Sequence, residues 1–248
     1  MKSLATLLLT VCLMASCNTN GQNQKQLKSN NVKDQEIINT ALFYLKEGKE
    51  KDFEKLRSRG NVLLQKYGAR IERVIKPKMI AAGELELPDE IHFAVYPNIE
   101  AKEAFDKDPE FIQLKKDYVA NSVEKMFGFI SYNDEDFEFF REIGDSKKTY
   151  GVALVYLKEE KKFKDQFAEY HKEACAIIPE FGTHFERFLL PFASANDALE
   201  QPNEIHRFYF ESEEGMQQMV NDHRMQQLFP KRDEALSNLI FILGEAIQ

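Results

Sequence analysis

The chain repeats itself, and no other feature limits its fold so tightly. ALFYLKE at Ala41–Glu47 returns as ALVYLKE at Ala153–Glu159, and Gly68–Tyr96 aligns without a gap on Gly182–Phe210. In that longer stretch Gly68/Gly182, Glu72/Glu186, Arg73/Arg187, Pro77/Pro191, Ala81/Ala195, Leu85/Leu199, Glu86/Glu200, Pro88/Pro202, Glu90/Glu204, Ile91/Ile205 and His92/His206 are identical. Self-similarity at a fixed offset is the mark of one structural unit used twice, so a reading of one half must hold for the other.

Each copy gives the same pattern. Ile37–Lys46 and Thr149–Lys158 are apolar and rich in β-formers, hence strands. The charged, helix-period stretches Glu50–Tyr67 and Glu160–Ile178 follow, closed by Gly68 and Gly182, the residue type that best ends a helix. Ala69–Ile75 and Thr183–Leu189 form second strands, ended by Pro77 and Pro191 because proline has no N–H for a ladder. Third strands lie at Glu90–Tyr96 and Glu204–Phe210. Helices at Asn98–Val123 and Glu213–Leu236 are interrupted near Pro109 and around Pro230, and fourth strands fall at Lys125–Tyr132 and Asn238–Gly244. The order β-α-β-β-α-β is the ferredoxin-like plan. Repeat 1 spans 36–132 and repeat 2 spans 147–248. The linker, 133–146, holds the run DEDFEFFRE (Asp134–Glu142), read as a helix docking Phe137, Phe139 and Phe140 on a repeat.

The N-terminus carries a different signal. Lys2 precedes the apolar run Leu4–Met14, and Ala15 and Ser16 lead into Cys17, the plan of a signal peptide. Met14-Ala15-Ser16-Cys17 resembles the lipobox of bacterial lipoproteins, although Met stands where Leu or Val is commoner. That resemblance implies a signal over 1–16, a lipid on Cys17 and an envelope location, periplasmic or surface-exposed. An ordinary secretory signal with an incidental cysteine is the alternative. Residues 17–35, rich in Asn, Gln and Lys, read as a disordered tether, since they offer too little apolar surface to offset chain entropy. Cys175 is the one cysteine left for the folded part, so no intrachain disulfide is expected there.

Residues 37–132 resemble the ferredoxin-like dimeric α/β-barrel superfamily, and within it a small uncharacterised bacterial family. The segments LLQKYGARIERV (Leu63–Val74), PDEIHFAVYPNIEAKEAF (Pro88–Phe105) and DPEFIQLKK (Asp108–Lys116) carry the likeness. The second copy keeps Gly182 and Asp222 of this pattern, but has Phe181 for the tyrosine and His223 for the proline. The resemblance implies an α+β fold in which two ferredoxin-like repeats pack sheet to sheet as an intrachain pseudo-dimeric barrel, monomeric as a whole. It also implies helices outside and a pocket between the sheets. The superfamily includes small-substrate monooxygenases, haem-degrading enzymes and isomerase-like proteins, and function does not follow from fold.

For a pocket between the sheets the candidate ligand-binding residues are His92, His206, Tyr44 and Tyr156. Strand alternation places His92, Ala94 and Tyr96 on one face and the aliphatic set Ile91, Phe93 and Val95 on the other. The aliphatic set suits the helix side, which leaves both histidines to the inter-sheet space. Tyr44 and Tyr156 oppose Ala41/Phe43/Leu45 and Ala153/Val155/Leu157 and share that space. Histidine titrates near neutrality and suits proton transfer or metal binding, but a hydrogen-bonded scaffold histidine inherited by both copies is the plainer reading. Alternation sends Glu72 and Arg73, and Glu186 and Arg187, to opposite faces as structural ion pairs, without saying which faces inward. His171 and Cys175, four apart on a helix, are half a metal site that no spacing elsewhere completes. Cys175 reads equally as a small buried apolar group.

A net charge of −8 argues against a nucleic-acid partner. With no Walker loop, dinucleotide fingerprint, CxxC or GxSxG, no cofactor is expected. Tryptophan is absent, and with it the aromatic that resembles the haem-ruffling residue of haem-degrading relatives. Three readings remain: a membrane-anchored module binding a small organic ligand, a cofactor-free enzyme of monooxygenase or isomerase type, and a structural or protein-interaction part. The first two require an open pocket, the third a filled interface.

Overall fold

A computed structural model describes residues 35–134, 148–195 and 199–248; the expected signal peptide, Cys17, nearly all of the tether and most of the linker lie outside them. The elements are β1 (Ile37–Leu45), α1 (Glu50–Gln65), β2 (Arg70–Ala82), β3 (Glu90–Tyr96), α2 (Ile99–Asp106), α3 (Pro109–Leu114) and β4 (Val123–Asn133). The second half has β5 (Thr149–Leu157), α4 (Lys161–Ile177), β6 (Thr183–Ser194), β7 (Glu204–Phe210), α5 (Glu213–Asn221), α6 (His223–Ala235) and β8 (Leu236–Ala246). Local chemistry accounts for the boundaries. Gly68 and Gly182 take the left-handed conformation that ends the first helix of each half, at φ 66° and 67°. Asn98, Asp108, Ser212 and Asp222 cap the N–H groups of the helices that follow them. The expected break near Pro109 is present, with Pro109 in the first turn of α3. The expected break at Pro230 is not: Pro230 lies inside α6, and the interruption falls at Asp222, whose carboxylate accepts from Arg224 and Met225.

The eight strands close one antiparallel barrel in the order β1-β3-β2-β8-β5-β7-β6-β4. Each half supplies four neighbouring strands. The two sheets are joined edge to edge by β2–β8 and β6–β4 ladders, so they do more than pack face to face, and the closed ring has no free edge. Closure depends on strands longer than the sequence suggested. β2 pairs with β3 over Arg70–Ile75, then passes Pro77 and pairs with β8 out to Ala82. β6 pairs with β7 over Thr183–Leu189 and with β4 over Leu189–Ser194. The prolines therefore do not end these strands. Each sits beside a register shift at the change of partner, where the ladder is already broken and a missing N–H costs little.

Apolar side chains form three layers. Ile38, Leu42, Tyr44, Ile91, Phe93, Val95, Val152, Leu154, Tyr156, Ile205 and Ile242 meet inside the barrel. Outside the first half, Ala94 and Tyr96 pack under Phe53, Leu63 and Phe105 of α1 and α2. Outside the second, Phe208 and Phe210 pack under Phe167, Tyr170 and Met219 of α4 and α5. This reverses the expected sides of β3 and β7: the aliphatic set faces the barrel interior, and His92 and His206 face the helices. The cause is the register, because directly opposed residues share a face. His92 pairs with Ala41 and His206 with Ala153, both on the helix side.

Candidate functional site

Among the described residues, packed side chains such as Phe93, Val152 and Ile205 occupy the space between the sheets where the pocket was expected. A cavity of about 480 Å³ lies instead between the outer face of the first sheet and its helices. Its floor includes Asn39, Ala41, Ala94 and Gly128; Phe53, Leu56, Leu64, Phe105 and Phe111 form much of its walls. The size and mostly apolar lining are those of small-molecule sites. Lys115 and Val119 reach it from a π-helical turn, Lys115–Val119, that follows α3. Such turns are rare and frequently accompany functional sites.

The polar groups on the wall are organised. Arg57 from α1 donates to both oxygens of Glu90 at 2.9 and 2.8 Å, and His92 Nε2 lies 2.6 Å from Glu90 Oε2. Burial pushes the His92 imidazolium below its ordinary range, and the Glu90 contact offsets only part of that. His92 therefore stands uncharged at neutral pH beside the cavity. Burial alone would raise the Glu90 carboxyl, but His92 and Arg57 outweigh it and keep Glu90 ionised. Lys102 is buried against Asp106 at 2.5 Å and lies over the Tyr96 ring. Haem, which some members of the superfamily hold, does not fit this wall. His92 is the one histidine among the described lining residues, and its Nε2 is already held by Glu90.

At the equivalent place in the second half, described side chains fill the space. Ala94 corresponds to Phe208 by the repeat. Gly128, opposite Ala41, corresponds to Phe241, opposite Ala153. Phe208 and Phe241 stack at 5.7 Å over Gly151, where a Cβ would come within 2.5 Å of the Phe208 ring. Gly151 in turn replaces Asn39 of the first half.

Of the four expected residues, His92 lines the cavity, although on the other side of the sheet from the expected pocket. His206 is fully buried against Phe188 and His171. Tyr44 and Tyr156 do point into the barrel, where they donate to the backbone carbonyls of Glu86 and Glu200 at 2.8 and 3.1 Å. They fasten equivalent loops in the two halves.

Inside the barrel the repeated Glu-Arg pairs make a network that alternation did not foresee. Register shifts at Ile71/Arg73 and Phe185/Arg187 leave Glu72 and Glu186 as extra residues, so Glu and Arg of each pair turn to the same side. The pairs then cross between halves. Arg73 bonds Glu186 at 3.2 and 2.5 Å, and Arg187 bonds Glu72 at 2.9 and 2.5 Å. Arg207, a third cation in the position of Phe93, reaches Glu72 at 2.6 Å and Glu186 at 2.9 Å. Burial alone would raise the Glu72 carboxyl, but the Arg187 hydrogen bonds with the charges of Arg207 and Arg187 hold it well below the carboxylate range. The half metal site at His171 also finds partners that spacing hid. They are Glu204 and His206, not Cys175.

The chain matches no protein-family model and no curated protein. Solved structures match it over most of their length. An anthrone oxidase-like protein is 10% identical with a TM-score of 0.56, covering 87% of this chain and 92% of its own. A proposed monooxygenase of Fusobacterium nucleatum subsp. nucleatum is 13% identical at TM-score 0.56, covering 86% and 93%. Chlorite dismutase from Candidatus Nitrospira defluvii, in complex with imidazole, is 8% identical at TM-score 0.53, covering 86% and 91%. At these identities the likeness is one of fold, and the fold of this chain is that of the dimeric α/β-barrel proteins, with both sheets carried on one polypeptide.

Proposed function

We propose that the protein is an envelope lipoprotein built from one duplicated ferredoxin-like unit, and that the cavity of its first half binds a small, mostly apolar organic molecule bearing a hydrogen-bonding group. One observation carries the binding reading. The first half keeps Ala94 and Gly128 where the second has Phe208 and Phe241, so one outer wall is open and its counterpart is packed solid. His92, Arg57 and Lys102 offer the few polar contacts that would orient a ligand. The repeat identities support the duplication, and the segment ending at Cys17 supports the anchor.

The test is a ligand screen of the detergent-solubilised full chain, followed by the double variant Asn39→Gly with Ala94→Phe. That variant copies the Phe208-over-Gly151 contact of the second half into the first. Hits that bind the parent and lose at least about tenfold in affinity in the variant support the site, a loss of about 1.4 kcal/mol. Hits that bind both equally refute it. For the anchor, intact-mass measurement of membrane-extracted protein should show acyl mass on a chain beginning at Cys17; an unmodified mature form beginning elsewhere counts against it.

A second reading, a cofactor-free enzyme, is favoured by one feature: the uncharged His92, fixed by Glu90, can accept a proton from a bound acidic group. Oxygen uptake or isomerisation of a bound ligand, lost in His92→Ala while binding persists, would select it over simple binding.

A further inference from the structure

The two halves place the same Glu-x-His pair on equivalent strands, under equivalent helices, yet complete it differently. Glu90 and His92 on β3 meet Arg57 of α1. Glu204 and His206 on β7 meet His171 of α4. Arg57 and His171 hold the same place, each eleven residues before the helix-ending glycine, Gly68 or Gly182. In the first half the guanidinium supplies a fixed cation to the carboxylate. In the second the cation is missing: among the described residues no lysine or arginine pairs with Glu204, and its one ion-pair contact is His206 Nε2 at 3.0 Å.

We infer that a divalent first-row metal ion, zinc by donor type, is held by His171, Glu204 and His206 and takes the place that the Arg57 guanidinium fills in the first half. One donor atom from each residue lies within 4.8 Å of the others. His171 Nε2 is buried with no hydrogen-bond partner, an arrangement a neutral imidazole rarely tolerates unless something binds there. Donors about 2.0–2.2 Å from a tetrahedral zinc stand roughly 3.4 Å apart, so ring and carboxylate rotations of about an ångström complete the site without moving α4 or β7. Two nitrogens and one carboxylate oxygen suit zinc or another borderline ion and leave a further position for water. Phe167, 3.9 Å from the His171 ring, and Phe188, stacked 4.2 Å from His206, shield the site from bulk water. The Glu204 side chain, 17% exposed, is the ion's way in. The ion would clip α4 to the sheet, and its binding energy would become folding energy.

The test uses chelator-treated, detergent-solubilised full chain with zinc chloride alone. One equivalent should bind, and a hundredfold excess over Kd should raise the melting temperature by about 5–10 °C. Cobalt(II) in place of zinc should give the visible bands of a low-coordinate nitrogen–oxygen site. The decisive variant is His171→Arg, which installs the first half's own solution. It should fold, reach at least the metal-free stability of the parent, and bind zinc at least about 100-fold more weakly. His223→Ala and His184→Ala should bind like the parent. If the parent takes up no zinc at micromolar concentration, or His171→Arg binds it as tightly as the parent, the site does not exist.

Discussion

The outer walls of the two halves share a backbone and differ in a handful of side chains. Over the first sheet, Ala94, Gly128 and Asn39 leave a cavity under α1 and α2, and Arg57 closes the Glu90–His92 pair. Over the second, Phe208, Phe241 and Gly151 fill the same volume, and His171 stands in for the arginine. Strand pairings are equivalent throughout, from Ala41↔His92 and Ala153↔His206 to the two register shifts that aim the Glu-Arg pairs inward. One half thus provides a packed wall while the other carries an opening, inside a single closed barrel. The barrel interior is where the halves depend on each other, because every repeated arginine there finds its carboxylate across the junction.

That contrast can be broken at several points. The largest effect belongs to the interior. Glu186→Ala leaves Arg73 and Arg207 buried without their shared carboxylate and should cost about 3–5 kcal/mol in denaturant unfolding. Arg207→Phe, which restores the first half's residue and leaves two balanced pairs, should change stability by less than about 1.5 kcal/mol. Equal losses in the two would mean that the third arginine is as necessary as the crossed pairs. Next comes the solid wall: Phe208→Ala should cost about 3 kcal/mol and open the part of that space that Ala94 leaves empty in the first half. A loss near zero would show that this wall is loosely packed.

Acid should act through Glu72. Its carboxyl is depressed in the fold, so its stabilisation is complete above the ordinary value of 4.5 and fades as the pH falls below that toward the depressed value. Unfolding free energies followed from about pH 7 to about pH 3 should decline along that limb, and Glu72→Gln should flatten it. An unchanged limb would place acid sensitivity elsewhere. The smallest effect is also the most symmetric. Tyr44→Phe and Tyr156→Phe each remove one hydrogen bond to a loop carbonyl and should each cost about 1 kcal/mol. A marked inequality would mean that the two loops are not held alike.

Features set by neighbours along the chain were legible in the sequence. Gly68 and Gly182 end helices, the break near Pro109 falls where it was expected, and the order of strands and helices follows from periodicity and turn residues. Tyr44 shares its face with Ile38 and Leu42, and Tyr156 with Val152 and Leu154, as alternation within one strand requires. The cavity, the His171–Glu204–His206 cluster and the sidedness of His92 were not legible. Which side a strand turns to the barrel depends on the residue hydrogen-bonded across from it, and His92 was misplaced for lack of the pairing with Ala41. An extra residue at Glu72 or Glu186 reverses alternation at that point, and Pro77 and Pro191 are tolerated only because the strand changes partners beside them. The sequence by itself determined the repeat, the element order and the donor types available. Tertiary structure alone decided that the barrel closes edge to edge, that its centre is filled, and that the opening lies on one outer wall. Local propensity acts over a few residues, whereas register, closure and packing volume depend on side chains that meet only when distant strands pair.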